Sequence, residues 1–164
     1  MKYLILFTLA FFVDRTQAQP ADQSAGIPEV FLIGQFEESY LALSQEHPEA
    51  LLSLYGDNIE LAYKGWSEFL MDIEDYATNL DFDIKGAKIW LNVYFNADGT
   101  ISNLAFYPKP NSRNIETDHL IAFFKSFVRN YKYPDIASRG FQHSASASFP
   151  TFFHRTSPVT AKGN

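Results

Sequence analysis

Several carboxylates of this 164-residue chain have a spacing that could do chemistry. Glu68, Asp72 and Asp75 would share one face of a helix, where their oxygens could hold a hard cation such as calcium. Asp81 and Asp83 could form the carboxylate pair of a glycoside hydrolase. Acids along a helix are usually its solvated face, however, and two acids in a polar linker are weak evidence for catalysis. We therefore predict neither a metal site nor a catalytic pair here.

Histidine and serine offer the other common catalytic groups. The chain has four histidines, His47, His119, His143 and His154. They form neither a His-x-x-x-His nor a Glu-x-x-His pattern, so the sequence gives little support to a zinc site. Ser144, Ser146 and Ser148 lack the glycine-flanked elbow of an esterase nucleophile. With no cysteine and no glycine-rich phosphate loop, we predict that the protein is not an enzyme and has no cofactor.

The first 18 residues have the pattern of a secretory signal peptide. A positively charged start precedes an apolar run over 3–13, which is too short to span a bilayer. Small residues at Thr16 and Ala18 predict cleavage after Ala18. An uncleaved anchor or a buried helix is the alternative, which the charged residues Asp14 and Arg15 disfavour. We predict a periplasmic or secreted protein that does not span the membrane after cleavage.

Composition and charge limit the possible partners. The content of 16 Phe and 9 Tyr is typical of a packed globular domain. Residues 19–88 carry 14 acidic and 3 basic side chains, whereas residues 89–164 carry 4 acidic and 8 basic ones. This asymmetry favours an acidic helical half that packs on a mildly basic half. The net charge of −6, without a dense basic patch, disfavours nucleic-acid binding.

We predict one domain between two flexible tails. The domain covers 29–155, and the tails cover 19–28 and 156–164. Inside the domain, 29–78 should be helical and 87–153 should contain the sheet. Apolar residues at helical spacing predict helices at 33–46, 48–55, from Asp57 or Asn58 to about Ala77, and at 117–131.

A β-hairpin is the clearest local pattern in the chain. Apolar and polar residues alternate from Ile89 to Phe95, Asn96–Gly99 forms a turn, and a second strand runs from Ile101 to Tyr107. A third strand is predicted within 141–152, where small residues alternate and Pro150 indicates a sheet edge.

Different elements should pack against the two faces of the hairpin. The 117–131 helix should cover the face with Ile89 and Val93. Trp90 and Tyr94 point to the opposite face, which either packs against the helix that carries Trp66 or forms an exposed binding surface.

Residues 89–152 resemble the C-terminal domain of TonB, the periplasmic energy-transducing protein. The matching parts are the strand Leu91–Phe95, the turn Asp98-Gly99, the strand Ile101–Phe106, the helix opening Ile115–Asp118, the close Tyr133-Pro134 and a final strand over 144–152. An energy transducer also has a membrane anchor and a long proline-rich spacer, which this sequence lacks.

The resemblance implies an α+β fold in which N-terminal helices pack on a three-stranded antiparallel sheet, with one helix between strands 2 and 3. It also implies a binding mode in which an extended peptide of a partner protein adds to a sheet edge. The positions that match this edge, together with the aromatic residues of the first strand, are Ser144, Ala145, Ser146, Ala147, Ser148, Phe149, Trp90 and Tyr94.

We therefore expect a non-enzymatic interaction module of the periplasm or of an outer-membrane assembly. Its partner should be a protein, and an outer-membrane protein is one candidate. An edge strand protected by the chain's own tail is the structural alternative. The functional alternatives are a small hydrolase or ligand-binding protein with a pocket between the acidic helices and the sheet, and a structural subunit of an outer-membrane assembly.

Overall fold

The computed structural model describes residues 26–135 and 137–153. The predicted signal peptide (1–18) and the predicted C-terminal tail (156–164) lie outside the described residues.

The described part of the chain forms four helices and five strands. In chain order they are β1 (Val30–Leu32), α1 (Glu37–Glu46), β2 (Glu49–Ala50), α2 (Leu51–Leu54), α3 (Ile59–Asn79), β3 (Lys88–Phe95), β4 (Ile101–Pro108), α4 (Thr117–Asn130) and β5 (Phe141–Ser148). None of these helices combines the length and the apolar content that crossing a bilayer requires.

All five strands belong to one mixed sheet with the order β1-β4-β3-β5-β2. The three long strands are antiparallel, while β1 pairs parallel with β4 and β2 pairs parallel with β5. The α+β class is therefore present, but the predicted three-stranded antiparallel sheet is wrong. Its two additional strands lie in the segment 29–78, which the sequence pattern assigned to helices. They are three and two residues long, too short for a periodic pattern to appear.

The predicted hairpin of β3 and β4 is confirmed. Gly99 has φ 87°, a conformation that glycine adopts without the steric cost of a Cβ. Its N–H donates to the Asn96 carbonyl at 2.9 Å, and the Asp98 carboxylate accepts from the Thr100 N–H at 3.0 Å. A bulge shifts the register between Tyr94 and Phe95. The turn therefore depends on the Asp-Gly pair that predicted it.

The observed bounds of α3 and α4, the two helices with long amphipathic stripes, agree with the predicted ones. Asn58 caps α3, since its side chain accepts from the Leu61 N–H at 3.1 Å. The helix predicted over 33–46 begins only at Glu37, and the one predicted over 48–55 is a short strand followed by the single turn of α2.

Both long helices cover the same face of the sheet. Phe69 of α3 is fully buried, and its ring lies 5.6 Å from that of Phe95 on β3 and 5.8 Å from that of Phe127 on α4. Trp66 stacks on Phe69 at 5.0 Å. The prediction that the Trp66 helix could cover the opposite face is therefore wrong, because the wide apolar stripe of α3 packs beside α4.

The opposite face is covered over one half only. Tyr94 is buried against Tyr40 of α1 and against His47, with ring centroids 6.0 and 5.5 Å apart. On the other half, Trp90 and Tyr107 stand directly opposite each other on β3 and β4 and are about half exposed. One face of the sheet is thus fully packed, and the other carries an exposed aromatic pair.

A tyrosine pair fixes the loop that follows α4. The hydroxyls of Tyr55 and Tyr133 are 2.9 Å apart, and Tyr55 also donates to Asp135 at 2.7 Å. Gly65 of α3 lies beneath both hydroxyls, where a Cβ would collide with them. Burial raises the pKa of Tyr55 to about 12. Both tyrosines therefore stay protonated at neutral pH and act as structural groups.

Candidate functional site

Some backbone N–H and C=O groups of β5 form no hydrogen bond with a described strand. The Phe149 N–H donates to the Ala87 carbonyl at 2.9 Å, and Ala147 stands opposite Ile89 of β3. Because residues of an antiparallel ladder alternate, the odd-numbered residues of β5 bond to β3 and the even-numbered ones direct their N–H and C=O outward.

The outer edge of β5 is only partly covered. β2 pairs with Phe141 and Gln142, at the start of the strand. No other described strand lies beside Ser144, Ser146 and Ser148, whose side chains are exposed. Within the described part of the chain, these three serines therefore present a row of backbone donors and acceptors with no partner strand, and we name them the open edge.

A groove of about 540 Å³ runs beside the open edge. Tyr63, Trp66 and Leu70 of α3 line one side, and β5 lines the other. The segment 151–153 completes the groove. Tyr63, Trp66 and Leu70 are three, four and seven residues apart, so they form one stripe along α3 that faces the groove.

The segment 151–153 is attached to α3 by two kinds of contact. The N–H and the hydroxyl of Thr151 both donate to the Glu74 carboxylate, at 2.8 and 2.6 Å. The ring of Phe153 packs edge-on against that of Tyr63 at 5.7 Å. These contacts hold apolar groups of the segment beside the open edge.

His143 projects from β5 into the groove. Its ring lies 4.4 Å from that of Trp66, and burial lowers the pKa of His143 below its ordinary value. The imidazole is therefore uncharged at neutral pH. Among the described residues, no hydrogen bond joins it to a serine or a carboxylate, so it lacks the partners of a catalytic histidine.

The structure divides the predicted partner-binding residues between edge, groove and core. Ser144, Ser146 and Ser148 form the open edge, and Ala145 lines the groove. Ala147 and Phe149 are buried in the main core.

The two predicted aromatic contacts lie apart from the groove. Trp90 is exposed on the opposite face, where the Lys109 ammonium lies 4.1 Å from its ring centroid. Tyr94 is buried under α1 and offers no surface to a partner.

The acids proposed for chemistry have other contacts. Asp72 accepts from the Tyr131 hydroxyl at 3.1 Å, and Glu68 lies 3.9 Å from the Lys64 ammonium. Arg113 donates to Asp83 at 2.6 Å and holds the pKa of that carboxyl below its usual range. Within the described ranges, no three His, Cys, Asp or Glu residues are grouped in a way that could hold a metal ion.

The sequence did not reveal the helix side of the groove. Apolar residues at helical spacing predict α3, and Tyr63, Trp66 and Leu70 belong to the broad apolar stripe that this spacing defines. The excess width of that stripe was the available signal, because a helix that only covers a core needs a narrower apolar face.

No family model, curated protein or solved structure matches this chain. The resemblance of residues 89–152 to the TonB C-terminal domain therefore stays a prediction.

Proposed function

We propose that this protein is an interaction module that binds an extended segment of a partner protein by strand addition to β5. The observation that carries the proposal is the open edge, a row of backbone groups at Ser144, Ser146 and Ser148 that no described strand pairs with, beside an apolar groove. A strand is the ligand that satisfies such a row, since its own N–H and C=O groups recur at the same spacing.

The side chains at the edge suit this mode of binding. Serine is small, so a partner backbone can approach to the inter-strand distance of about 4.8 Å. Alternate side chains of the added strand would then point to the α3 side, where the exposed rings of Tyr63 and Phe152 offer apolar contact. Main-chain bonds supply affinity in this arrangement, and the groove supplies selectivity.

The same groove gives weak support to the alternative of a small hydrolase. An active site needs at least two titratable groups that converge in a cleft. Of the described residues that line the groove, only His143 and Tyr63 are titratable; no hydrogen bond joins these two, and none of the lining residues is a carboxylate. The open edge is thus the feature that best explains this part of the surface.

We also propose that the module acts outside the cytoplasm. The support is the predicted signal peptide at 1–18 and the resemblance to TonB, whose C-terminal domain binds partner segments by edge addition. A protein of the outer membrane fits this proposal as a partner.

The experiment compares two substitutions at one position. Linear heptapeptides are selected from a randomised displayed library on the wild-type chain, and their affinity is measured by fluorescence anisotropy. Ser146→Pro removes an outward N–H, so we expect at least a tenfold loss of affinity, about 1.4 kcal/mol. Ser146→Ala keeps the N–H and should bind within about twofold of wild type. Equal binding by the proline variant, or selection that yields no peptide, would contradict the proposal.

A further inference from the structure

We infer that the segment bound at the open edge is one in which apolar residues alternate with acidic residues, the apolar ones facing α3. This inference rests on the proposed function and names the chemical class of its ligand. It follows from the different character of the two surfaces that an added strand would meet.

The surface on the α3 side is apolar and disfavours acids. Its exposed aromatic lining residues are Tyr63 and Phe152, and His143 is uncharged at neutral pH. α3 itself carries five acidic residues and one basic residue, so its field repels a carboxylate on this side. Val, Ile or Leu side chains therefore suit the positions that face α3.

The half of the opposite side that α1 leaves uncovered is polar and basic. The residues of the three long strands that point to this face include no acid; they are Lys88, Trp90, Asn92 and Tyr94 on β3, Asn103, Ala105 and Tyr107 on β4, and Gln142, Ser144, Ser146 and Ser148 on β5. Lys88 stands opposite Ser148, and Lys109 lies over Trp90. An added strand would thus have two lysines beyond a row of small serines.

The geometry allows Lys88 to contact the added strand, while Lys109, one strand farther away, acts over a longer range. Lys88 and the added strand would be two strand spacings apart, about 10 Å. The serines between them are too short to obstruct the path, so a lysine and a glutamate side chain can approach each other above β5. Glutamate at the positions that face this surface would therefore gain attraction from Lys88 and Lys109, and lysine would be repelled.

The test uses synthetic peptides in which valine alternates with an acidic, a neutral or a basic residue. Acetylated (Val-Glu)4, (Val-Ser)4 and (Val-Lys)4, and a Val-Val-Glu-Glu repeat of the same composition as the first, are titrated into the full chain. We expect (Val-Glu)4 to bind at least tenfold more tightly than (Val-Lys)4 and than the Val-Val-Glu-Glu repeat. The preference over (Val-Lys)4 should shrink as salt is added.

Charge reversal on the protein then tests which lysines cause the preference for the glutamate peptide. Lys88→Glu combined with Lys109→Glu should reduce the ratio of (Val-Glu)4 to (Val-Lys)4 affinity at least fivefold and leave (Val-Ser)4 unchanged. Lys125→Glu combined with Lys132→Glu, the same charge change on α4 and just after it, is the matched control and should leave the ratio unchanged. An equal effect of the control variant would overturn the inference.

The remaining outcomes separate the inference from the proposed function. If all three alternating peptides bind equally and all lose affinity in Ser146→Pro, the inference fails and strand addition stands. If none of them binds while library-selected peptides do, the inference fails and strand addition stands; if neither set binds, both fail. Self-association of the chain that Ser146→Pro abolishes would make a second copy the occupant, and this also overturns the inference.

Discussion

Replacing Phe69 by alanine should lower the free energy of unfolding by about 3–5 kcal/mol, the range for a fully buried phenylalanine. Its ring contacts aromatic residues of α3, of α4 and of the sheet, including Trp66 at 5.0 Å and Phe95 at 5.6 Å. The substitution therefore removes contacts that join three elements, and a neighbour from one element cannot fill the resulting space. Urea denaturation followed by circular dichroism measures the loss.

The matched control is Leu41→Ala on α1. Leu41 is 68% exposed, so the expected change is within about 0.5 kcal/mol. A loss below about 1.5 kcal/mol for Phe69→Ala would contradict the packing of α3 and α4 on one face of the sheet.

Proline should destabilise the protein to very different extents at two adjacent positions of β5. Ala147→Pro should destabilise the protein by about 3 kcal/mol or more, because it removes the N–H that the ladder directs to Ile89 and leaves that buried carbonyl unpaired. Ser146→Pro removes an N–H that points outward, so we expect a cost of about 1 kcal/mol. Thermal unfolding of both variants beside wild type measures the difference.

Ala147→Ser and Ser146→Ala serve as controls for the change of side chain alone. Equal destabilisation by the two proline variants would show that the outward N–H of Ser146 is already paired. The assignment of odd-numbered N–H groups of β5 to the β3 side and of even-numbered ones to the outer side would then be wrong, and so would the open edge.

Local patterns in the sequence predicted the parts of the fold that are long and periodic. β3 and β4 alternate apolar and polar residues around an Asp-Gly turn, and α4 has a regular apolar stripe. Each of these elements carries enough residues for the period to appear. The short strand Val30–Leu32 is three consecutive apolar residues, which a helix accommodates equally well, and its place beside β4 depends on a segment about 70 residues away.

The candidate site could be predicted in part, because β5 is long enough for a periodic pattern to appear. The alternation of small residues over 144–148 indicated an edge strand, and the structure places these serines at the outer edge of β5. A pocket between the acidic helices and the sheet was one predicted alternative, but the lining of this groove could not be predicted, since it combines Tyr63 with His143 and Phe153, residues that only the tertiary fold brings together. The burial of Tyr94 likewise depends on α1, whose position the sequence did not indicate.

The most direct test of strand addition is residue-resolved amide hydrogen exchange by NMR, with and without saturating (Val-Glu)4. In the free chain, the N–H groups of Ser144, Ser146 and Ser148 should exchange at least about 100-fold faster than those of Ala145 and Ala147, which bond to β3. Bound peptide should slow the serine amides at least tenfold and leave the alanine amides unchanged. Serine amides that are already protected in the free chain, or that exchange equally fast with peptide bound, would contradict the open edge as the binding site.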